Sequence, residues 1–165
     1  MKLLSIEQST SEAYLPDAKD LAILAVLQKN AKATVKEIAT AVHLSTTPVH
    51  ERIKRMEQVG IIEQYVTLVN AAKVKKGLMV ICYVSLKEHS KNAGKSFITH
   101  ILALPEVIEC YSISGEFDFM LKVVAENMER YYDFHVNKLS QAENIGHVQS
   151  VFVMGVIKQT HVLVG

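Results

Sequence analysis

A chain of 165 residues, 49% hydrophobic and 21% charged, has room for one domain or two small ones and the make-up of an ordinary folded protein. Its net charge of +1 excludes a partner held by overall charge, so a polyanion would have to be met by local patches. Two cysteines without CxxC spacing, Cys82 and Cys110, and apolar runs no longer than LMVICYV (78–84) and VFVMGVI (151–157) exclude a disulfide scaffold and a membrane helix.

In chain order, residues 1–15 are polar and aperiodic and read as a loose arm. Their apolar run stops at Glu7, so they are not a signal peptide, and the chain reads as a reduced cytoplasmic protein. Residues 16–63 carry helical patterns. A first helix opens at the N-cap Asp17 and repeats Leu21, Ile23, Leu24 and Leu27 on its apolar side. A second opens at Thr34 with Glu37 three residues later, a capping box, and turns Ile38, Ala39 and Val42 inward. His43-Leu44-Ser45 forms a tight turn in which His43 takes the left-handed conformation and Leu44 plugs the core. A third helix runs from the N-cap Ser45 to Gly60, a C-terminal glycine.

On the helical wheel of this third helix Val49, Ile53 and Met56 share one side, and Thr47, His50, Glu51, Lys54, Arg55 and Gln58 the other. From Lys29 to Arg55 six basic residues face two acidic ones, and Lys73, Lys75 and Lys76 follow. Two helices and a tight turn, with hydrogen-bonding side chains in the first turn of the second helix and cations behind them, are the parts of a helix-turn-helix that enters the DNA major groove. The candidate DNA contacts are Ser45, Thr46, Thr47, His50, Glu51, Arg52, Lys54 and Arg55, with Lys36 from the preceding helix. Arg52 flanks the apolar side, and an ion pair with Glu37 or Glu57 weighs equally against a phosphate contact. A merely solvated face on a three-helix bundle is the plain alternative.

IIEQYVTLV (61–69) alternates like a strand and leads into a basic hinge, so residues 64–77 form a strand and linker. Residues 78–165 then read strand, helix, strand twice over, a ferredoxin-like βαββαβ domain of order 4-1-3-2. That order places Cys82 and Cys110 two strand spacings apart, about 10 Å, too far for a disulfide. The strands are apolar on both faces: Leu78, Val80, Cys82 and Val84 against Met79, Ile81 and Tyr83, then Val151 and Val153 against Phe152, Met154 and Val156. Both helices cover one face, so the other needs a second copy of the chain, packed sheet to sheet, or a wrap by the N-terminal segment. The two repeats meet at Ser114-Gly115-Glu116-Phe117-Asp118. This turn is a plain hairpin connection, or it offers N–H groups near Gly115 to an amino acid's carboxylate and Asp118 to its ammonium. The seven histidines form neither HxxxH nor HExxH, and GxSxG, P-loop and GxGxxG are absent, so neither a metal site nor an enzyme is expected. The rivals to a DNA-binding regulator are an amino-acid-sensing subunit of an enzyme and a small ferredoxin-like enzyme. The basic recognition helix disfavours the first, and the missing acid–base pair the second.

The stretch LSTTPVHERIKRMEQVGII (44–62), with DAKDLAIL (17–24), KEIATAVHLS (36–45), EVIECYSISGEFDFMLKVV (106–124) and VIKQT (156–160), resembles the Lrp/AsnC (feast/famine) transcription regulators over nearly the whole chain. Pro16 and Lys19 depart from that family's pattern at the start of the first helix. The resemblance implies an α+β chain: a winged helix-turn-helix followed by an ACT-like βαββαβ sensing domain. It also implies dimers, often four to an octamer, and an amino-acid effector. Gly115 and Asp118 match the family's effector loop GxxD, with Ser114 beside them. Met128, Ser150 and Val151 carry over from a site that in the family lies between dimers.

Overall fold

The computed structural model describes residues 14–164, so the arm expected over residues 1–15 lies outside the described residues except for Tyr14 and Leu15. The chain forms two compact units. The first holds the residues up to Thr67 together with residues 159–164, and the second is Leu68–Lys158.

Three helices build the first unit: α1 (Ala18–Lys29), α2 (Val35–Val42) and α3 (Thr46–Gln58). Each starts where its capping residue predicts. Asp17 accepts from the Lys19 and Asp20 N–H groups, and Asp20 answers by accepting from the Asp17 N–H. Thr34 and Glu37 form the same reciprocal box on α2. His43 closes α2 at φ 54°, and Leu44 packs half-buried against the core. At the end of α3 Gly60 stands at φ 77°; its N–H donates to the Glu57 carbonyl at 3.2 Å and the Ile61 N–H to that of Met56 at 2.9 Å, a Schellman closure. The core is Ile23, Leu27, Ile38, Ala39, Val42, Val49 and Met56. One assignment on α1 changes. Leu21 is exposed and Asp20 is buried, because the inner stripe runs 20, 23, 27 at helical spacing. The tail joins this unit through Gln28, whose amide accepts from the Leu163 N–H at 2.5 Å and donates to the Val164 carbonyl at 3.2 Å. Residues 159–164 thus pack with the helices, and the compact unit that holds the sheet ends at Lys158.

Residues 61–69, expected as a strand, pair with nothing among the described residues. Ile61 and Ile62 turn back onto the helical core, while Tyr65, Val66, Leu68 and Val69 stand exposed. Alternation alone does not make a strand: the backbone groups need a partner, and the described residues supply none here. No hairpin wing accompanies the helix-turn-helix in the described residues. The hinge forms a short 3₁₀ turn at Ala71–Val74, and Lys75 lies 3.6 Å from Glu126.

The second unit is β1 (Leu78–Leu86), α4 (Lys91–Leu102), β2 (Val107–Ser112), β3 (Phe119–Ala125), α5 (Met128–Asn137) and β4 (Ile145–Phe152). Its antiparallel sheet has the order β2-β3-β1-β4, as the tandem repeat predicts. Val80, Cys82, Val84, Leu121 and Val123 bury one face against Phe97 and Ile101 of α4 and Tyr131 and Phe134 of α5. Cys82 and Cys110 both register with Leu121 on the intervening β3, and both thiols are free. The run VFVMGVI is not a buried strand: β4 ends at Phe152, and Met154, Val156 and Ile157 are exposed. Phe152 packs edge-on against Tyr131, but among the described residues Met154, Val156 and Ile157 enter no core.

Candidate functional site

The first candidate surface is the outer side of α3. Ser45, Thr46, Thr47, His50, Glu51, Lys54 and Arg55 are all exposed, as is Lys36 on α2. The inner side of the same helix seals the core through Val49 and Met56, so the polar side cannot turn inward without unfolding the unit. Ser45 has the extended N-cap backbone, φ −79° and ψ 164°, yet its hydroxyl closes no cap bond; the third residue of the helix is Pro48, which has no N–H to donate.

Arg52, half-buried on the flank of this surface, is set apart from the others by an ion pair inside the unit. Its Nη1 donates to Asp17 Oδ2 at 2.7 Å and to Asp20 Oδ1 at 2.8 Å. The ion pair weighed from sequence is therefore real, but its partners are on α1 and not Glu37 or Glu57. Tyr14 donates its hydroxyl to the other Asp20 oxygen at 2.5 Å, and its ring lies 4.0 Å beneath the Arg55 guanidinium. Burial pushes the Asp20 carboxyl up, but hydrogen bonds from Tyr14, Arg52 and the Asp17 N–H outweigh it and hold it below its ordinary range. The two carboxylates, in turn, raise the Arg52 guanidinium further. Sequence reasoning missed Tyr14, Asp17 and Asp20 as a unit. The available signal was Asp20 itself: a carboxylate on the inner stripe with Ile23 and Leu27 demands a cation from a neighbouring helix. Lys19, a departure from the family pattern, donates to the Val42 carbonyl at 2.7 Å and ties α1 to the end of α2.

The second candidate lies on the β2–β3 turn. Gly115 adopts φ 123°, and a Cβ there would meet nothing within 4 Å, so glycine serves the backbone conformation and not a close approach. Asp118 is braced: its Oδ2 accepts from the Leu86 N–H at 2.8 Å, and its Oδ1 faces His89 Nε2 at 3.2 Å. Its own N–H donates to Val84 and its carbonyl accepts from Ile113, both at 2.9 Å. The plain hairpin role is thus present, and one carboxylate oxygen is already engaged inside the fold. Ser114 is exposed beside it.

Met128, Ser150 and Val151 are elsewhere. β3 leaves Asp118 and runs its full seven residues before Met128, about 20 Å at strand rise. Ser150 registers with Cys82 in mid-sheet, its hydroxyl 2.5 Å from the Tyr131 hydroxyl, which lies 3.2 Å from Cys82 Sγ. Val151 points to the opposite face of β4 and is exposed. One chain does not bring the six expected effector residues together. Among the described residues no group of three or more His, Cys, Asp or Glu is placed to hold a metal ion, and no helix is long and apolar enough to cross a membrane.

Comparison with known proteins accounts for both units. Residues 17–57 match the AsnC-type helix-turn-helix domain, and residues 79–163 the Lrp/AsnC ligand binding domain. The chain is 34% identical to the leucine-responsive regulatory protein of Rhizobium meliloti, over 86% of this chain and 91% of that one. It is 32% identical to the DNA-binding transcriptional activator DecR of Escherichia coli, over 87% and 95%. Among solved structures, an AsnC family transcriptional regulator from Agrobacterium tumefaciens superposes with a TM-score of 0.86 at 35% identity, covering 90% and 96%. A transcriptional regulator from Neisseria meningitidis in complex with L-Met superposes at 0.85 with 33% identity, covering 89% and 95%. A DNA-reading unit of three helices, a four-stranded ligand-binding unit and relatives matched over nearly their whole length lead to one conclusion: the chain belongs to the Lrp/AsnC family of transcription regulators, with a DNA-binding helix-turn-helix and a ligand-binding domain.

Proposed function

We propose that this regulator reads its operator with the outer side of α3, and that an amino acid binding between copies of the second unit adjusts the assembly and so the occupancy of the DNA. The observation that carries the reading is the sorted surface of α3: Thr46, Thr47 and His50 near its start have the donors and acceptors to meet base edges, while Lys54, Arg55 and Lys36 meet phosphates. The N–H groups of Thr46 and Thr47 at the start of the helix favour a phosphate at the same end. Lys54→Ala is expected to weaken all DNA binding and to reduce the slope of log K against log salt by about 0.9. Thr47→Ala is expected to relax base preference with the slope kept. A gel-shift salt series in which neither variant differs from wild type overturns the assignment of α3.

The effector reading rests on the braced turn and on chemistry. A zwitterion needs N–H donors and a carboxylate close together, and Gly115 and Asp118 offer both. The L-Met bound to the Neisseria relative supports an amino acid as the ligand class. Because Met128, Ser150 and Val151 lie away from the turn, the complete site draws Ser114, Gly115 and Asp118 from one chain and the others from another. The open sheet face, with Met79, Ile81, Tyr83 and Val151, supports a homodimer packed sheet to sheet, and four dimers closing into an octamer is the assembly we expect. Thermal-shift screening of the twenty amino acids tests the ligand, with Asp118→Ala as control. A hit whose shift survives Asp118→Ala excludes the Asp118 site. Sedimentation at micromolar concentration tests the dimer, and a monomer there overturns it.

A further inference from the structure

We infer that Arg52 serves DNA reading as a positioning residue: anchored on Asp20 and Asp17, it sets how α3 is rotated and pitched on α1, and it touches no phosphate itself. The inference rests on the reading of α3 as the recognition helix.

Three observations carry it. First, the anchor is buried. Asp20 is 1% exposed, and a carboxylate there without its cation is strongly unfavourable, so Arg52 cannot leave for a phosphate without stranding a charge inside the unit. Second, the geometry is specific. One guanidinium nitrogen donates to two carboxylates at the start of α1, the N-cap Asp17 and Asp20 in the first turn, at 2.7 and 2.8 Å, and the planar head restricts the angle at which α3 crosses them. A lysine ammonium is a rotating point charge and imposes no such angle. Third, the anchoring is one-sided. Arg52 and Arg55, one turn apart on α3, both meet the Tyr14–Asp20 cluster, the first by ion pair and the second across the ring at 4.0 Å. Thr47, His50 and Lys54 lie on the neighbouring stripe, so a rotation about the α3 axis moves all three together relative to a groove. The lever is long: a small rotation at the helix axis grows at the tips of side chains that must meet base edges to within a few tenths of an ångström. α1 is itself fixed to α2 through Lys19 and the Val42 carbonyl, so the three helices are set by polar contacts at their ends as well as by the apolar core.

The test uses the full-length protein and two duplexes: a site recovered by in vitro selection with the wild type, and a scrambled duplex of equal length. Arg52→Lys, Arg52→Met, Asp20→Asn and Lys54→Ala are measured on both across a salt series, below the melting temperature of each variant. Arg52→Lys, Arg52→Met and Asp20→Asn are expected to lose about tenfold on the selected site and little on the scrambled one, with the salt slope kept. The Arg52→Met, Asp20→Asn double variant is expected to lose no more than the worse single one, because the two residues act as one contact. Lys54→Ala is expected to lose on both duplexes and to reduce the slope by about 0.9. Asp17→Asn, on the half-exposed carboxylate, is the mild variant that decides the matter if the others fail to fold, with a smaller loss confined to the selected site. A slope reduced by about 0.9 in Arg52→Met makes Arg52 a phosphate contact and overturns the inference. Wild-type preference in Arg52→Lys overturns it too, since a lysine keeps the charge and not the angle. If Lys54→Ala is silent, the reading of α3 falls and this inference with it; if Lys54→Ala behaves as expected and the Arg52 and Asp20 variants match wild type, this inference alone falls.

Discussion

The candidate reading helix and the candidate effector turn are built in opposite ways. All but one of the candidate DNA contacts come from a single stretch, Ser45–Arg55, and one helix lays them on one exposed side, with Arg52 at its flank. The candidate effector residues come from the β2–β3 turn, the start of α5 and the middle of β4, and one chain leaves them about 20 Å apart or on opposite faces of the sheet. The helical unit also finishes its own core: Val49, Met56 and Ile23 are fully buried, and even the charge inside it, Asp20, has its cation. Among the described residues the sheet unit is finished on one face only, with Ile81 and Tyr83 partly exposed and Met154, Val156 and Ile157 exposed. A DNA-reading surface needs one rigid helix, whereas a site whose occupancy is to control assembly gains from being incomplete until copies meet.

The sharpest way to break this contrast is on the open face. Ile81→Lys places a charge where a second sheet is expected, and the effector-induced thermal shift should vanish entirely while the protein sediments as a monomer and keeps its helical content. A full shift from a monomer dismisses the shared site. Next come core truncations, which ask whether the two units are separately built. Phe97→Ala should cost the sheet unit about 3–5 kcal/mol and Ile23→Ala the helical unit about 2–5 kcal/mol. Each should lower its own transition in denaturant, followed by hydrogen exchange; equal loss in both units shows a single cooperative fold.

The acid limb of stability separates the units further. The Asp20 carboxyl is held below its ordinary value of 3.8 in the folded chain. A depressed folded value means the stabilisation is complete above 3.8 and is lost as pH falls through the folded value. Denaturant midpoints of the helical unit in wild type and Asp20→Asn should therefore stand apart near neutral pH and converge in strong acid; a gap unchanged down to pH 2 rejects the role given to Asp20. The smallest effect is at Gly60. Its φ of 77° strains any Cβ, yet nothing stands within 4 Å, so Gly60→Ala should cost about 1 kcal/mol by strain alone. A larger loss in the denaturant midpoint shows a contact beyond backbone strain.

Much of the fold was legible from residue patterns. Asp17, the Thr34–Glu37 box, His43 and Gly60 mark their helix ends by local chemistry, and the structure places those ends as expected. The two repeats predict the order β2-β3-β1-β4, and with it the separation of Cys82 from Cys110. The exposed side of α3 follows from the wheel, because a helix repeats every 3.6 residues whatever surrounds it.

What failed to read correctly depended on a partner distant in sequence. IIEQYVTLV has the alternation of a strand, but pairing is a property of two segments, and the described chain offers it no second one. VFVMGVI has the composition of a core strand, but burial depends on what packs over it, and only the portion up to Phe152 enters the sheet. Arg52 has the composition of a phosphate contact, and no helical wheel states that Asp17 and Asp20, 35 and 32 residues upstream, take its charge. Sequence by itself determined where helices begin, which way the faces of α2 and α3 turn and how the strands are ordered, since these follow from covalent geometry and near neighbours. Tertiary structure alone decided which charges the fold engages, as Asp17 and Asp20 engage Arg52, because ion pairs form between side chains that folding brings together from distant positions.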